Sequence, residues 1–175
     1  MLLLAIAGGA RAYEEQLGLE LAVGYANLGY NETLSSKGLT TQTILPANLA
    51  ALDVGVSVGL GEWAVLRGAL GYGALLEDPL KTRQVGRFRL EAAYLIDIVQ
   101  WVPFLGLGGG LWLVQDPGAG VDPRADGHIV FGIDYLATRA WTVGLDVRTG
   151  FLWGDGRAFN VTEGQLRLSR MFELF

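Results

Sequence analysis

The sequence has no cysteine, one histidine and two lysines, and no uninterrupted apolar run of the length a membrane-spanning helix needs. Without cysteine there is no disulfide framework and no thiolate metal site. Positive charge is scarce: the formal net charge is -5 and the pI is near 4.8, which argues against a nucleic-acid partner. The two lysines, Lys37 and Lys81, fall in stretches that read as connections. Candidate strands instead alternate apolar residues with Gly, Ala and an occasional Asp, Glu or Arg, which is not how a water-facing sheet surface is built. Yet the chain is 51% hydrophobic with a mean hydropathy of +0.34. Backbone polar groups in lipid must be satisfied internally, so a chain this apolar without a spanning helix is an oily soluble protein or a closed β-barrel.

Glycine is abundant, with 26 in 175 residues, and it clusters in WVPFLGLGGGLWL at residues 101–113. A phosphate-binding loop would need its glycines in a turn leading into an amphipathic helix. The glycines lead instead into LWLVQDPGAGVDPRADG, which contains no helix start, and the spacing lacks the third glycine of the fingerprint. Parity gives the better account. Phe104, Gly106, Gly108, Gly110 and Trp112 share one face of a strand, while Leu105, Leu107, Leu111 and Leu113 share the other.

The same period of two recurs along the chain and predicts eight strands. They fall near 17–26, 49–60, 64–72, 88–98, 101–113, 128–135, 141–153 and 161–172. One face of each is oily. The other is small or charged: Glu20 on the first strand, Asp53 on the second, Arg67 on the third, Arg89 and Glu91 on the fourth, Asp146 and Arg148 on the seventh, Glu163 and Arg167 on the eighth. Arg170 breaks the pattern by falling on the oily side of the eighth strand. The connections alternate: 31–47, 74–86, 114–127 and 154–160 read as long polar or Gly/Pro-rich loops, and those near 61, 99–101 and 136–140 as short turns. Aromatic residues gather at strand ends. Trp63, Tyr94, Trp101, Tyr135, Trp141 and Phe172 lie near the short turns, and Tyr25, Tyr30, Tyr72, Phe88, Phe151 and Trp153 near the long loops. Two such belts are what membrane interfaces select.

With the stretch YLIDIVQWVPFLGLGGG at residues 94–110, the count of eight strands and the aromatic ending at Phe172, the chain resembles the small eight-stranded outer-membrane β-barrels of Gram-negative bacteria. These are the barrels of the OmpA-transmembrane-domain, OmpX and OmpW kind. The resemblance implies an all-β, antiparallel, up-and-down transmembrane barrel with short periplasmic turns and four longer extracellular loops. Residues 1–12 read as part of a secretory signal ending in Ala10-Arg11-Ala12, without the usual basic start, and 13–175 as one barrel domain.

An eight-stranded lumen is just wide enough to be filled by side chains. Glu20, Asp53, Arg67, Arg89, Glu91, Asp146, Arg148, Glu163 and Arg167 are therefore expected to form an interior ion-pair network. Gly106, Gly108 and Gly110 are expected to leave room for large side chains from opposite strands. No catalytic residue, metal site or cofactor is expected. Deacylase barrels of this size place a nucleophile two residues after a histidine, and here that position, after His128, is Val130. Asp126 is the expected partner of His128. The acids Glu77, Asp78, Asp116, Asp122 and Asp126 match no calcium-loop spacing and read as solvated loop residues. The expected role is that of a monomeric, non-enzymatic, porin-like scaffold in the outer membrane. It would contact the lipid bilayer and lipopolysaccharide, and a surface partner through its loops. Two alternatives stand beside it: a narrow channel or lateral-exit transporter for small apolar compounds, and a lipocalin-like soluble carrier with its oily faces turned inward.

Overall fold

The computed structural model describes residues 16–36, 39–78, 81–96, 100–116, 118, 120–154 and 157–173. The segment read as a signal, together with Asp97 and Ile98, lies outside the described residues. Eight strands run in order: β1 Gln16–Ser36, β2 Leu39–Gly59, β3 Ala64–Asp78, β4 Lys81–Leu95, β5 Trp101–Asp116, β6 Gly120–Thr138, β7 Trp141–Gly154 and β8 Arg157–Glu173. Each pairs antiparallel with the next, and β8 pairs with β1 to close the barrel. Closure removes the free edge from the wall of the barrel; only the hairpin tops pass beyond it, β1 from Tyr30 and β2 before Asn48 pairing with each other alone.

Following the pairings once around, from Leu17 through Val58, Leu66, Ala92, Leu107, Ile129, Thr149 and Thr162 back to Asn27, displaces the register by ten residues on β1. With eight strands that stagger tilts them by about 40° and leaves a lumen that side chains can fill. The predicted faces are the observed ones. Leu19, Leu21, Val54, Leu70, Leu90, Leu105, Phe131, Leu145 and Leu166 point outward and are exposed, Leu107 most of all at 67%. Asp53, Arg67, Arg89, Glu91, Asp146 and Arg148, on the alternate positions, are buried.

The short turns near 61 and 136–140 sit where they are expected, and the start of the one near 99–101 lies outside the described residues. Gly61 turns β2 into β3 with φ at 78°, a left-handed conformation that glycine adopts without strain. At the β6–β7 turn the Thr138 hydroxyl accepts hydrogen bonds from the backbone N–H of Ala140 (3.2 Å) and Trp141 (3.1 Å).

The four long loops are a correction. The strands continue through them: β1 and β2 stay paired from Asn27–Asn48 to Ser36–Leu39, β3 and β4 to Asp78–Lys81, β5 and β6 to Asp116–Gly120, and β7 and β8 to Gly154–Arg157. The segments read as loops are thus the upper parts of four hairpins, which form a collar at that end; the β1–β2 hairpin pairs only with itself beyond Gly29 and Asn48.

Inside, three levels are stacked along the barrel axis. Toward the short-turn end lies an apolar cluster of Val65, Ala93, Leu95, Val102, Phe104, Val130 and Met171, with Asp134 paired beside Val102. A charged layer occupies the middle. Above it, in the collar, a second apolar cluster contains Leu28, Leu49, Leu75, Val85, Trp112, Val114, Leu152 and Val161.

Candidate functional site in the barrel lumen

The charged layer is built from inward positions two residues apart on several strands, so its chemistry comes from strand parity. Two nodes organise it. In the upper node Arg87 donates through Nε and Nη2 to the two oxygens of Asp53 (2.8 and 2.6 Å) and through Nη1 and Nη2 to those of Glu163 (3.0 and 2.7 Å). Arg89 donates to the same two acids, at 2.8 Å to Asp53 and 2.9 Å to Glu163. The Gln165 amide donates to Asp53 as well. In the lower node Arg167 donates to Glu20 (3.0 Å) and Asp134 (2.6 Å), and Arg67 donates to the other oxygen of Asp134 (3.0 Å). Arg148 bonds Glu91 through Nε and Nη2 and pairs with Asp146, which in turn lies 3.6 Å from Arg167 Nε. Phe104 floors this node, with the Arg67 guanidinium 4.3 Å and that of Arg167 5.6 Å from its ring centre.

All nine residues expected in the interior are thus in the lumen, within ion-pair distance of at least one other member of the layer. Two further members escape the sequence pattern. Arg87 falls outside it because a fourth strand begun at Phe88 starts one residue too late; counting back two from Arg89 reaches it. Asp134 has inward parity on β6 but is absent from the expected network, although it holds both Arg67 and Arg167. Desolvation is the physical reason for this dense pairing: a buried charge that loses its partner costs about 3 to 5 kcal/mol.

The sole histidine joins the layer to the rim. Its Nδ1 lies 2.9 Å from Asp126 Oδ2, as expected, and its Nε2 lies 3.1 Å from Glu91 Oε1. Ionised carboxylates only accept hydrogen bonds, so a ring facing an acceptor on each side is matched when both nitrogens carry protons. When protonated, His128 adds a further cation to a layer where five arginines meet Glu20, Asp53, Glu91, Asp134, Asp146 and Glu163.

The glycines of β5 line the lumen, and the nearest atoms that a Cβ there would meet belong to the adjacent strands. A Cβ at Gly108 would fall 2.7 Å from Glu91 Cγ on β4 and 2.5 Å from His128 Nε2 on β6. One at Gly110 would overlap the Phe88 carbonyl oxygen and fall 3.2 Å from Arg89 Cγ, and one at Gly106 would overlap the Ala92 carbonyl oxygen. Tilt and coiling of the wall crowd paired neighbours together on its concave side. Val130 occupies the next inward position after His128 and is fully buried, so no nucleophile stands there. Of the acids read as solvated, Asp122 binds Arg124 (2.7 Å) and Asp126 binds His128; the side chains of Glu77, Asp78 and Asp116 lie outside the described residues.

The outer wall carries the expected belts. At the short-turn end Trp63 stacks near Tyr94 (ring centres 5.9 Å apart) and Trp101 near Tyr135 (4.7 Å), with Trp141 and Phe172 exposed beside them. At the collar end Tyr25, Tyr72, Phe88, Phe151 and Trp153 are exposed, and the side chain of Tyr30 lies outside the described residues. Nine residues separate Trp63 from Tyr72. At about 3.3 Å per residue and a tilt near 40° the belts stand about 23 Å apart, the height of the apolar band on membrane barrels.

No protein-family model matches the sequence, and no curated protein matches it. Solved structures do match. Neisserial surface protein A (NspA) superposes with a TM-score of 0.57 at 16% identity, covering 90% of this chain and 96% of its own. The N-terminal β-barrel domain of Pseudomonas aeruginosa OprF gives 0.57 at 14%, covering 90% and 98%. The outer-membrane protein OprG of Pseudomonas aeruginosa gives 0.58 at 10%, covering 89% and 96%. The closed register, the inverted faces and these likenesses together give this chain the fold of the small eight-stranded outer-membrane β-barrels.

Proposed function

We propose that this chain is a bacterial outer-membrane barrel that works as a rigid, monomeric, non-enzymatic scaffold and displays a collar of four β-hairpins at the cell surface. The observation that carries this reading is the filling of the lumen at three successive levels, apolar, ionic and apolar. A cavity of about 20 Å³ lies among Asp53, Arg67, Arg89, Glu91 and Arg148, room for a water and too little for a solute. The wall also supports the scaffold reading over a lateral-exit transporter. Between the belts its pairing runs without a gap, and among the described residues register shifts occur only at strand ends, between Leu76 and Asp78 and between Leu136 and Thr138. The orientation of the faces is the reverse of what a lipocalin-like carrier needs. On this reading the bilayer and lipopolysaccharide surround the band between the aromatic belts, and a surface partner meets the collar.

Planar-bilayer recording tests the proposal. The refolded chain is expected to give no conductance steps at any voltage, and sustained steps from a folded, monomeric preparation would overturn it. Cell fractionation tests the location, with the protein expected in outer-membrane fractions and extracted only by detergent.

A further inference from the structure

Arg170 is the cation on the outer wall of β8. It pairs in register with Leu19 on β1 and Trp141 on β7, level with the aromatic belt of the short-turn end. Its guanidinium lies 5.1 Å from the ring centre of Phe172 and 5.8 Å from that of Trp141. Phe172 is the next outward residue toward the short-turn end, so the side chain leans away from the hydrocarbon and toward the interface. Every lumen arginine described above is held by carboxylates; among the described residues none forms an ion pair with Arg170. Arg139, exposed in the β6–β7 turn two residues before Trp141, adds positive charge at the same end. One step toward the midplane, Leu21, Leu168 and Val143 are paired in a row across the three strands and form an apolar track.

We propose that Arg170, braced by Trp141 and Phe172, clasps the phosphate of a phospholipid headgroup in the periplasmic leaflet, with an acyl chain lying along the Leu21–Leu168–Val143 track. A guanidinium presents a planar fork that meets phosphate oxygens in pairs, and its remaining face stacks on aromatic rings. At the depth of the belt the anion within reach of this fork is the headgroup phosphate. A cation that would be costly against hydrocarbon is there matched by the lipid itself.

This inference rests on the membrane-spanning reading, so insertion is measured first. The whole chain is refolded into vesicles of phosphatidylethanolamine and phosphatidylglycerol, and folding is read as heat-modifiable gel mobility. Failure of the unaltered chain to insert would sink the membrane reading itself. Native mass spectrometry then counts lipids retained after transfer to micelles carrying phosphatidylglycerol or a diacylglycerol with the same chains. The unaltered chain is expected to keep one phosphatidylglycerol and no diacylglycerol, and Arg170→Gln to bind phosphatidylglycerol about tenfold more weakly, the loss of a charge-assisted pair. Arg170→Lys, which keeps the charge but not the fork, is expected to fall between. Equal retention of the two lipids by the unaltered chain overturns the clasp whether or not the variants fold. Undiminished phosphatidylglycerol binding by a folded Arg170→Gln overturns it too, while leaving the membrane reading intact.

Discussion

The inward face of this barrel changes character along its own strands. On β4, Glu91, Arg89 and Arg87 point into the lumen, and the next inward residue toward the collar is Val85, fully buried among apolar neighbours. On β8 the same step passes from Glu163 to Val161. The difference comes from what surrounds the wall at each height. Between the aromatic belts the outside is hydrocarbon, and an apolar side chain gains little by turning inward, since lipid is as good a surrounding as a protein core. Interior ion pairs settle the orientation there, because a charge facing lipid is penalised and a paired charge facing the lumen is not. Above the belt the outside is water, and burying Leu49, Leu75, Leu152 and Trp112 restores the usual hydrophobic driving force. One wall thus uses two opposite rules for which face goes in, and the exchange falls at the outer aromatic belt.

Reversing a charge in the ionic layer should have the largest effect. Arg148→Glu sets a third carboxylate against Glu91 and Asp146 and strips Glu91 of its bidentate partner. The expected loss is about 3 to 5 kcal/mol, the cost of an uncompensated buried charge. It should appear as a lower urea midpoint for loss of the heat-modifiable folded band. A variant with an unchanged midpoint would mean that these charges are not coupled.

Removing bulk from the collar tests the other rule. Trp112 is 1% exposed and sits at the junction, with the Arg87 guanidinium 5.7 Å from its ring. Trp112→Ala should cost about 3 kcal/mol. The loss should be local, with hydrogen exchange accelerating in the upper parts of the hairpins while the strands between the belts keep their protection. If protection falls evenly from collar to short turns, the two levels are one cooperative unit and the contrast between them has no energetic meaning.

That contrast also explains what could be read from the sequence. Between the belts, oily positions alternate with small or charged ones, and the period of two is unmistakable in stretches such as Leu52 to Leu60 or Trp141 to Val147. Above the belt the strands continue with the same parity, but the outward side mixes Asn27, Asn48, Gln84 and Thr162 with Leu113 and Val121, while the inward side turns mostly apolar, the Asp122–Arg124 pair on β6 excepted. With Pro46, Pro123 and several glycines added, the pattern imitates loops. The strand boundaries are illegible there for a physical reason: the solvent that produces the alternation has changed. Arg87 is lost with them, being the first charged residue below the exchange. His128 is legible as a lumen residue with Asp126 beside it, but its second partner, Glu91, is 37 positions away and is brought to it only by the pairing of β4 with β5 and β5 with β6.

A milder test concerns how tightly the ionic layer is filled. Gly108 faces Glu91 on one side and His128 on the other, with no space for a Cβ. Gly108→Leu should therefore cost about 1 to 3 kcal/mol through overpacking. The companion double variant Gly108→Leu/His128→Ala should cost less than the sum of the two single penalties, since truncating the imidazole clears the nearest atoms. Additive penalties in the pair would show that the leucine finds room elsewhere and that the layer is looser than its distances imply.

The smallest effect is expected on the outer wall, and it probes the inside–outside rule at the height where that rule is inverted. Gly164 lies on β8 one residue from Glu163, yet its missing Cβ would meet nothing within 4 Å, because it points into lipid between Tyr25 and Val147. Leucine there adds apolar surface to a hydrocarbon-facing band and disturbs neither backbone pairing nor lumen contacts. Gly164→Leu should shift stability in vesicles by no more than about 0.5 kcal/mol, read from the urea midpoint, although the same substitution on the inner face, at Gly108, costs several times as much. The comparison is cleanest with both variants in the same vesicles, where the side of the wall is the main thing that differs. A Gly164→Leu penalty as large as that of Gly108→Leu would mean that this stretch of β8 is covered by protein and not by lipid.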